Sequence, residues 1–252
     1  MPRPVVLAST TSLCDTGLLD VLALEFTRRT GYPLRPVCVG SGQALLFGSR
    51  GEADAIIAHA PAAEAAFVAA GHAESRRAVL RNDFVLVGPA DDPAGVRGLN
   101  PAAALAAIAR RRALFISRGD SSGTEEREKK LWAETQIEPR VGWYLSAGQG
   151  MSATLRLASE KRAYTLSDRS TFLTLEGRLA LEVLVGGQAE LANHYHLLVV
   201  EPRRHPQVNL AGARALADFL TGPAIQSWIG RFGKEKYGRA LFTPDAERPE
   251  TP

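Results

Sequence analysis

The stretch Val5-Val6-Leu7-Ala8-Ser9-Thr10-Thr11-Ser12 decides how the rest of the chain is read. Four apolar residues, two of them β-branched, predict a short buried strand. Four consecutive hydroxyl residues then stand where the chain must turn into its next element. That element carries Leu18, Leu22 and Phe26 at a helical spacing and stops at Gly31. An apolar strand feeding an amphipathic helix is the repeating unit of an α/β fold with a buried sheet.

The same alternation continues outward from this stretch. Leu34–Val39 predicts a second strand with a short helix from Gln43, and Ala55–Ala58 a third with a helix over Ala62–Ala70 closed by Gly71. A long run, Val79–Gly88, precedes the turn residues Asp91-Asp92-Pro93-Ala94-Gly95. Asn100-Pro101 opens a helix with Asn as cap and Pro in the first turn. Strands follow at Leu114–Ser117, Trp143–Leu145, Ala163–Leu166, Leu181–Val185 and Tyr195–Val200. Helices are expected over Ser121–Trp132, near Met151–Ser159, and over Ala211–Leu220 and Pro223–Phe232, before a frayed polar end rich in Pro and Glu.

At 252 residues the chain has room for one large domain or two lobes. Lys and Arg number 30 against 27 Asp and Glu, a balance too even for a nucleic-acid binder. The one dense basic run, Arg110-Arg111-Arg112, ends an alanine-rich helix, where cations suit the dipole. No apolar stretch is long enough for a membrane span. Cys14 and Cys38 permit one bridge or two buried thiols. Cys14 follows the hydroxyl block and Cys38 ends the second strand, so a bridge, if formed, would join neighbours in a plausible sheet order.

Three strand-to-helix junctions share one chemistry. They are Ser9-Thr10-Thr11-Ser12, Gly40-Ser41-Gly42-Gln43, and Ser117-Arg118-Gly119-Asp120-Ser121-Ser122-Gly123-Thr124. Ser and Thr are common helix caps, and one such junction alone reads as capping. Several hydroxyls at each of three junctions exceed what a cap needs. Helix N-termini carry unpaired N–H groups and suit anions, and α/β pockets form at the C-terminal ends of strands. Arg118 is either a surface arginine or a charged donor to a dianion at the pocket mouth. No Walker A ending is present, so a nucleotide triphosphate site is unsupported.

Catalytic motifs are sparse: Gly-x-Ser-x-Gly is absent, and no base stands ready to activate a hydroxyl. His194 and His196 alternate on one strand, and a single pair is weak evidence for a metal site. Asp168-Arg169 reads as a local ion pair or a cap. The chain is expected to be no enzyme and to need no cofactor.

The three junctions, together with His59-Ala60-Pro61, Asn82-Asp83-Phe84, Leu131-Trp132, Trp143-Tyr144, Gly148-Gln149-Gly150-Met151 and Ala163-Tyr164-Thr165-Leu166-Ser167-Asp168-Arg169, carry a resemblance. Over most of residues 5–170 the chain resembles the tungstate-binding proteins of ABC importers, a group of class II periplasmic binding proteins. The resemblance implies two α/β lobes, 1–87 with 199–252 and 88–198, joined by crossing strands near Val85–Gly88 and His196–Val200. They would close on one oxyanion, held by Ser9, Thr10, Ser41, Arg118, Ser121, Ser122, Gly123 and Thr124. Ser9 and Ser41 depart from the Thr more common in the family, and both keep the hydroxyl.

The implied ligand is tungstate, with molybdate the alternative, and the implied partner is the transmembrane subunit of an ABC permease. A monomer in the periplasm or otherwise outside the cytoplasm follows from the same resemblance, its export leader absent from this sequence. A cytoplasmic oxyanion-sensing domain is the alternative of another class.

Overall fold

A computed structural model of the protein describes residues 2–140 and 142–246. The chain divides into two units, residues 1–81 with 194–252 and residues 82–193.

The first unit opens with β1 (Val5–Thr10), α1 (Thr11–Asp15), α2 (Leu18–Thr30), β2 (Leu34–Val39), α3 (Ser41–Ser49), β3 (Ala55–Ala58), α4 (Pro61–Ala69) and the first half of β4 (Ala73–Gly88). β1 runs parallel to β2 and to β3, with Ser9 opposite Cys38 and Thr10 opposite Val39. Three parallel strands therefore end side by side, each followed by a helix. α2 buries Leu18, Leu22 and Phe26, the periodic set, and ends at Gly31, whose φ of 76° favours a residue without Cβ. Ala8, Ala44, Leu45, Ile56, Phe67, Leu198 and Val200 form the core between sheet and helices.

The second unit contains the far half of β4, α5 (Pro101–Arg111), β5 (Phe115–Ser117), α6 (Gly123–Thr135), β6 (Tyr144–Ser146), α7 (Met151–Glu160), β7 (Thr165–Asp168), α8 (Arg169–Leu175) and β8 (Glu182–Gly186). β4 is flanked here by antiparallel β7 and β8, while β5 and β6 pair in parallel. The alternation of side chains along β4 builds two cores. Phe84 and Leu86 pack with Leu105, Phe115, Leu131 and Trp132, and Val85 and Val87 with Ile116, Met151, Leu155 and Phe172. Asn100 caps α5 by accepting from Ala103 N at 2.8 Å, with Pro101 next, as expected.

β9 (Ala192–Val200) returns the chain to the first unit, where β3 pairs with it antiparallel. α9 (Leu210–Thr221), α10 (Pro223–Ile229), α11 (Lys234–Tyr237) and β10 (Thr243–Pro244) complete that unit. The polar end is ordered further than composition suggests. β10 pairs with β4 at Leu80 and Arg81, and Leu241 and Phe242 are buried beside it. The part of the expected frayed end at 247–252 lies outside the described residues.

Several boundaries move. β4 starts at Ala73, six residues before the apolar run, because pairing in the sheet carries a polar segment with it. Residues 169–175, absent from the periodic reading, form α8. Asp168 caps it, accepting from Thr171 N at 2.9 Å, while Arg169 pairs with Asp83 instead of its neighbour. Cys14 and Cys38 are joined, which ties α1 to β2.

Candidate oxyanion site

In the first unit the expected residues stand at adjacent strand ends. Ser9 is the fifth residue of β1 and is fully buried, and its Oγ has no hydrogen-bond partner among the described residues. Thr10 ends the strand and caps α1, its Oγ1 accepting from Leu13 N at 3.5 Å and sitting 3.2 Å from Ser12 Oγ. Ser41 opens α3 but is not its cap. Its buried Oγ instead accepts from His59 N at 3.3 Å, which ties the start of α3 to the turn after β3.

Sequence reasoning left four members of this cluster, Ser12, His59, Tyr195 and Glu64, out of the site. Ser12 Oγ lies 3.5 Å from Tyr195 OH, and the Tyr195 ring stacks on His59 with centroids 4.7 Å apart. His59 was readable from its place after a strand. Tyr195 was not, since it arrives from the far end of the chain on β9. Glu64, fully buried on α4, fixes the same turn by accepting from Ala60 N at 2.8 Å. Burial pushes the Glu64 carboxyl up, but His196 and Arg76, both 2.9 Å from Oε2, outweigh it and hold the carboxyl below its ordinary value. His194 is likewise engaged, at 2.6 Å from Asp245. Among the described residues no cluster of His, Cys, Asp and Glu could hold a metal ion.

In the second unit the loop 117–124 is built tightly. Arg118 is 1% exposed, so it is no surface arginine. Its Nε and Nη2 donate to Asp120 Oδ2 at 3.0 and 2.7 Å. The turn that brings Asp120 back needs φ of 61° at Gly119, where a Cβ would also run into Ser146 Oγ, and φ of 57° at Ser121. Ser122 caps α6 by accepting from Glu125 N at 3.3 Å, and Glu125 returns the contact, accepting from Ser121 N at 2.5 Å. This is a capping box shifted by one residue. Gly123 is the first helical residue. Thr124 is fully buried, and its Oγ1 has no hydrogen-bond partner among the described residues. The loop after β6 lies against this one, Gly148 N donating to Arg118 O at 2.9 Å.

Each unit thus presents neutral hydroxyls and N–H groups where strands give way to helices, and the charge of Arg118 is already balanced by Asp120. Such a donor set suits a small anion whose charge is spread over several oxygens.

A protein-family model described as the PBP superfamily domain matches residues 2–224. The tungstate-binding protein TupA of Peptoclostridium acidaminophilum is 45% identical over 247 residues, covering 97% of this chain and 86% of that protein. Among solved structures, the tungstate-binding protein TupA from Desulfovibrio alaskensis G20 superposes with a TM-score of 0.81 at 45% identity, over 98% of this chain and 100% of that one. The tungstate ABC transporter structure from Geobacter sulfurreducens gives 0.83 at 40% identity, over 91% and 98%. The family model and these relatives place the chain among the substrate-binding proteins of the periplasmic-binding-protein class, which are not enzymes. Within that class, the chain belongs to the TupA-like family of tungstate-binding proteins of ABC importers.

Proposed function

We propose that the chain binds a tetrahedral oxyanion, tungstate before molybdate, and hands it to the transmembrane subunit of an ABC permease. The observation that carries this reading is the pair of fully buried hydroxyls, Ser9 Oγ near the end of β1 and Thr124 Oγ1 in the first turn of α6, which have no hydrogen-bond partner among the described residues. A buried hydroxyl left unpaired costs about 1–3 kcal/mol, so a fold keeps one where a ligand completes it. The donors of this reading are Ser9, Thr10 and Ser41 in one unit and Arg118, Ser121, Ser122, Gly123 and Thr124 in the other. An ion that needs donors from both favours the state in which both reach it, and that state is what the permease would recognise.

Sulfate and phosphate have shorter bonds to oxygen and would leave some of these donors unmet, at about 1–3 kcal/mol each. Tungstate is preferred over molybdate because the tungstate-binding relatives match this chain over nearly its whole length. A compartment outside the cytoplasm is supported by the Cys14–Cys38 bridge, since structural disulfides persist in oxidising surroundings.

Isothermal titration of anion-stripped protein with tungstate, molybdate, sulfate and phosphate tests the reading. Tight tungstate, weaker molybdate and silence from the other two is the expected pattern. Equal tungstate and molybdate would remove the preference, and silence from all four would remove the function.

A further inference from the structure

Glu128 lies one helical turn beyond Thr124 on α6, so the two side chains share a face with Cβ atoms about 5–6 Å apart. It is 1% exposed. Its Oε1 accepts from Tyr144 OH at 2.7 Å and from Trp132 Nε1 at 3.2 Å, and the Ser117 hydroxyl also hydrogen-bonds to the carboxyl. All three partners are neutral. Among the described residues no Arg, Lys or His pairs with it, in contrast to Glu64 and Glu125.

The surroundings add no compensating charge. On α6 itself the neighbour is Glu125, whose carboxylate is engaged by Lys129 and Ser121 N. β6 contributes Tyr144. β5 contributes Ser117, followed by the mutually neutralised Arg118 and Asp120. β7, packed against α6, ends in Asp168, whose Oδ1 takes donors from Ser170 and Thr171. α5, the remaining neighbour, buries only Pro101, Ala104, Leu105, Ala107 and Ile108. A carboxyl so placed touches the first residue of the anion loop and sits beneath its last.

We propose that Glu128 is an affinity-determining residue that couples anion binding to a proton: the oxyanion is held tightly while this carboxyl is neutral and loosened when it ionises. The inference rests on the oxyanion reading above. Burial, the largest influence, pushes the carboxyl up to about 7, against the hydrogen bonds from Tyr144, Ser117 and Trp132, while Glu125 adds to the rise. Ionised, it sets a buried negative charge one turn below Thr124, against a dianion. By linkage, anion binding then takes up a proton above that point, so affinity is full below it and falls as pH rises through it.

The experiment is a titration with sodium tungstate at a series of pH values on wild type, Glu128→Gln and Tyr144→Phe. Wild-type affinity is expected to fall roughly tenfold between about pH 6.5 and 8.5, one proton being linked to one ion. Glu128→Gln keeps the neutral shape and is expected to hold the low-pH affinity across that range. Tyr144→Phe removes a donor that favours the ionised carboxyl, and it is expected to move the fall to higher pH. A merely structural role for either residue would lower affinity equally at every pH. Binding by wild type that is level across the range, or a slope that survives in Glu128→Gln, would overturn the proposal while leaving the oxyanion reading in place. Wild type silent toward tungstate at every pH would overturn both.

Discussion

If Thr124 and Ser9 donate to the ion as proposed, each costs the empty fold more than the loaded one, and that difference can be measured. Thr124→Val keeps the volume and deletes a buried hydroxyl that has no hydrogen-bond partner among the described residues. The expected result is unchanged or slightly higher stability in chemical denaturation, together with a loss of tungstate affinity of about tenfold or more. Reduced stability with unchanged affinity would make Thr124 a structural hydroxyl. Arg118→Ala behaves differently, because it also strips Asp120 of its counter-charge. It is expected to lower both stability and affinity, the latter by about 10–100-fold, the worth of a charged hydrogen bond. Titration with all four anions should show a changed order of preference. The grouping of hydroxyls at strand-to-helix junctions was legible because several at each of three junctions exceed what a cap needs. The burial of Arg118 and its partner were not, because the positive φ at Gly119 and Ser121 that brings Asp120 back leaves no signal in periodicity.

At the scale of elements, the parallel strands and the capped helices follow from local pattern, and the departures have tertiary causes. β4 gains six residues, four of them polar, from pairing in the sheet, and Asp168 serves α8 while Arg169 reaches Asp83 on β4. Two predictions belong here. The Cys14–Cys38 bridge closes a loop of 24 residues next to the hydroxyl block, so reduction is expected to cost about 3.5 kcal/mol on the chain-entropy estimate. Denaturation with and without reductant reads this, and a mass gain of the added hydrogens confirms that the bond was present. Glu64 joins the turn after β3 to Arg76 and His196 through charged hydrogen bonds, and Glu64→Gln is expected to destabilise by about 2 kcal/mol at neutral pH. Its carboxyl lies below the ordinary 4.5 in the folded protein. Its contribution is therefore whole above that value and disappears as pH falls below it. The stability gap between wild type and variant should close on acidification, and a gap that persists in acid would assign the loss to packing.

For the whole molecule the question is whether one ion engages both units or only one. Unit membership was the hardest feature to read, since β4 and β9 each run from one unit into the other without a break in their apolar pattern. The proposed donors divide cleanly, with Ser9, Thr10 and Ser41 in one unit and Arg118 to Thr124 in the other. Saturating tungstate at about a hundred times its dissociation constant adds about 2.7 kcal/mol of stability, which raises the melting temperature of a chain this size by roughly 5–11 °C. That shift alone does not say where the ion sits. Amide hydrogen exchange does, because a ligand suppresses local opening of the segments it touches. If one ion takes donors from both, tungstate should slow exchange at residues 9–13 and 40–43 and equally at 118–125. Ser41→Ala should then weaken protection at 118–125, in the unit that still has all its own donors. Protection confined to one unit, or loss confined to the mutated one, would mean that the hydroxyls of the other serve their helices alone.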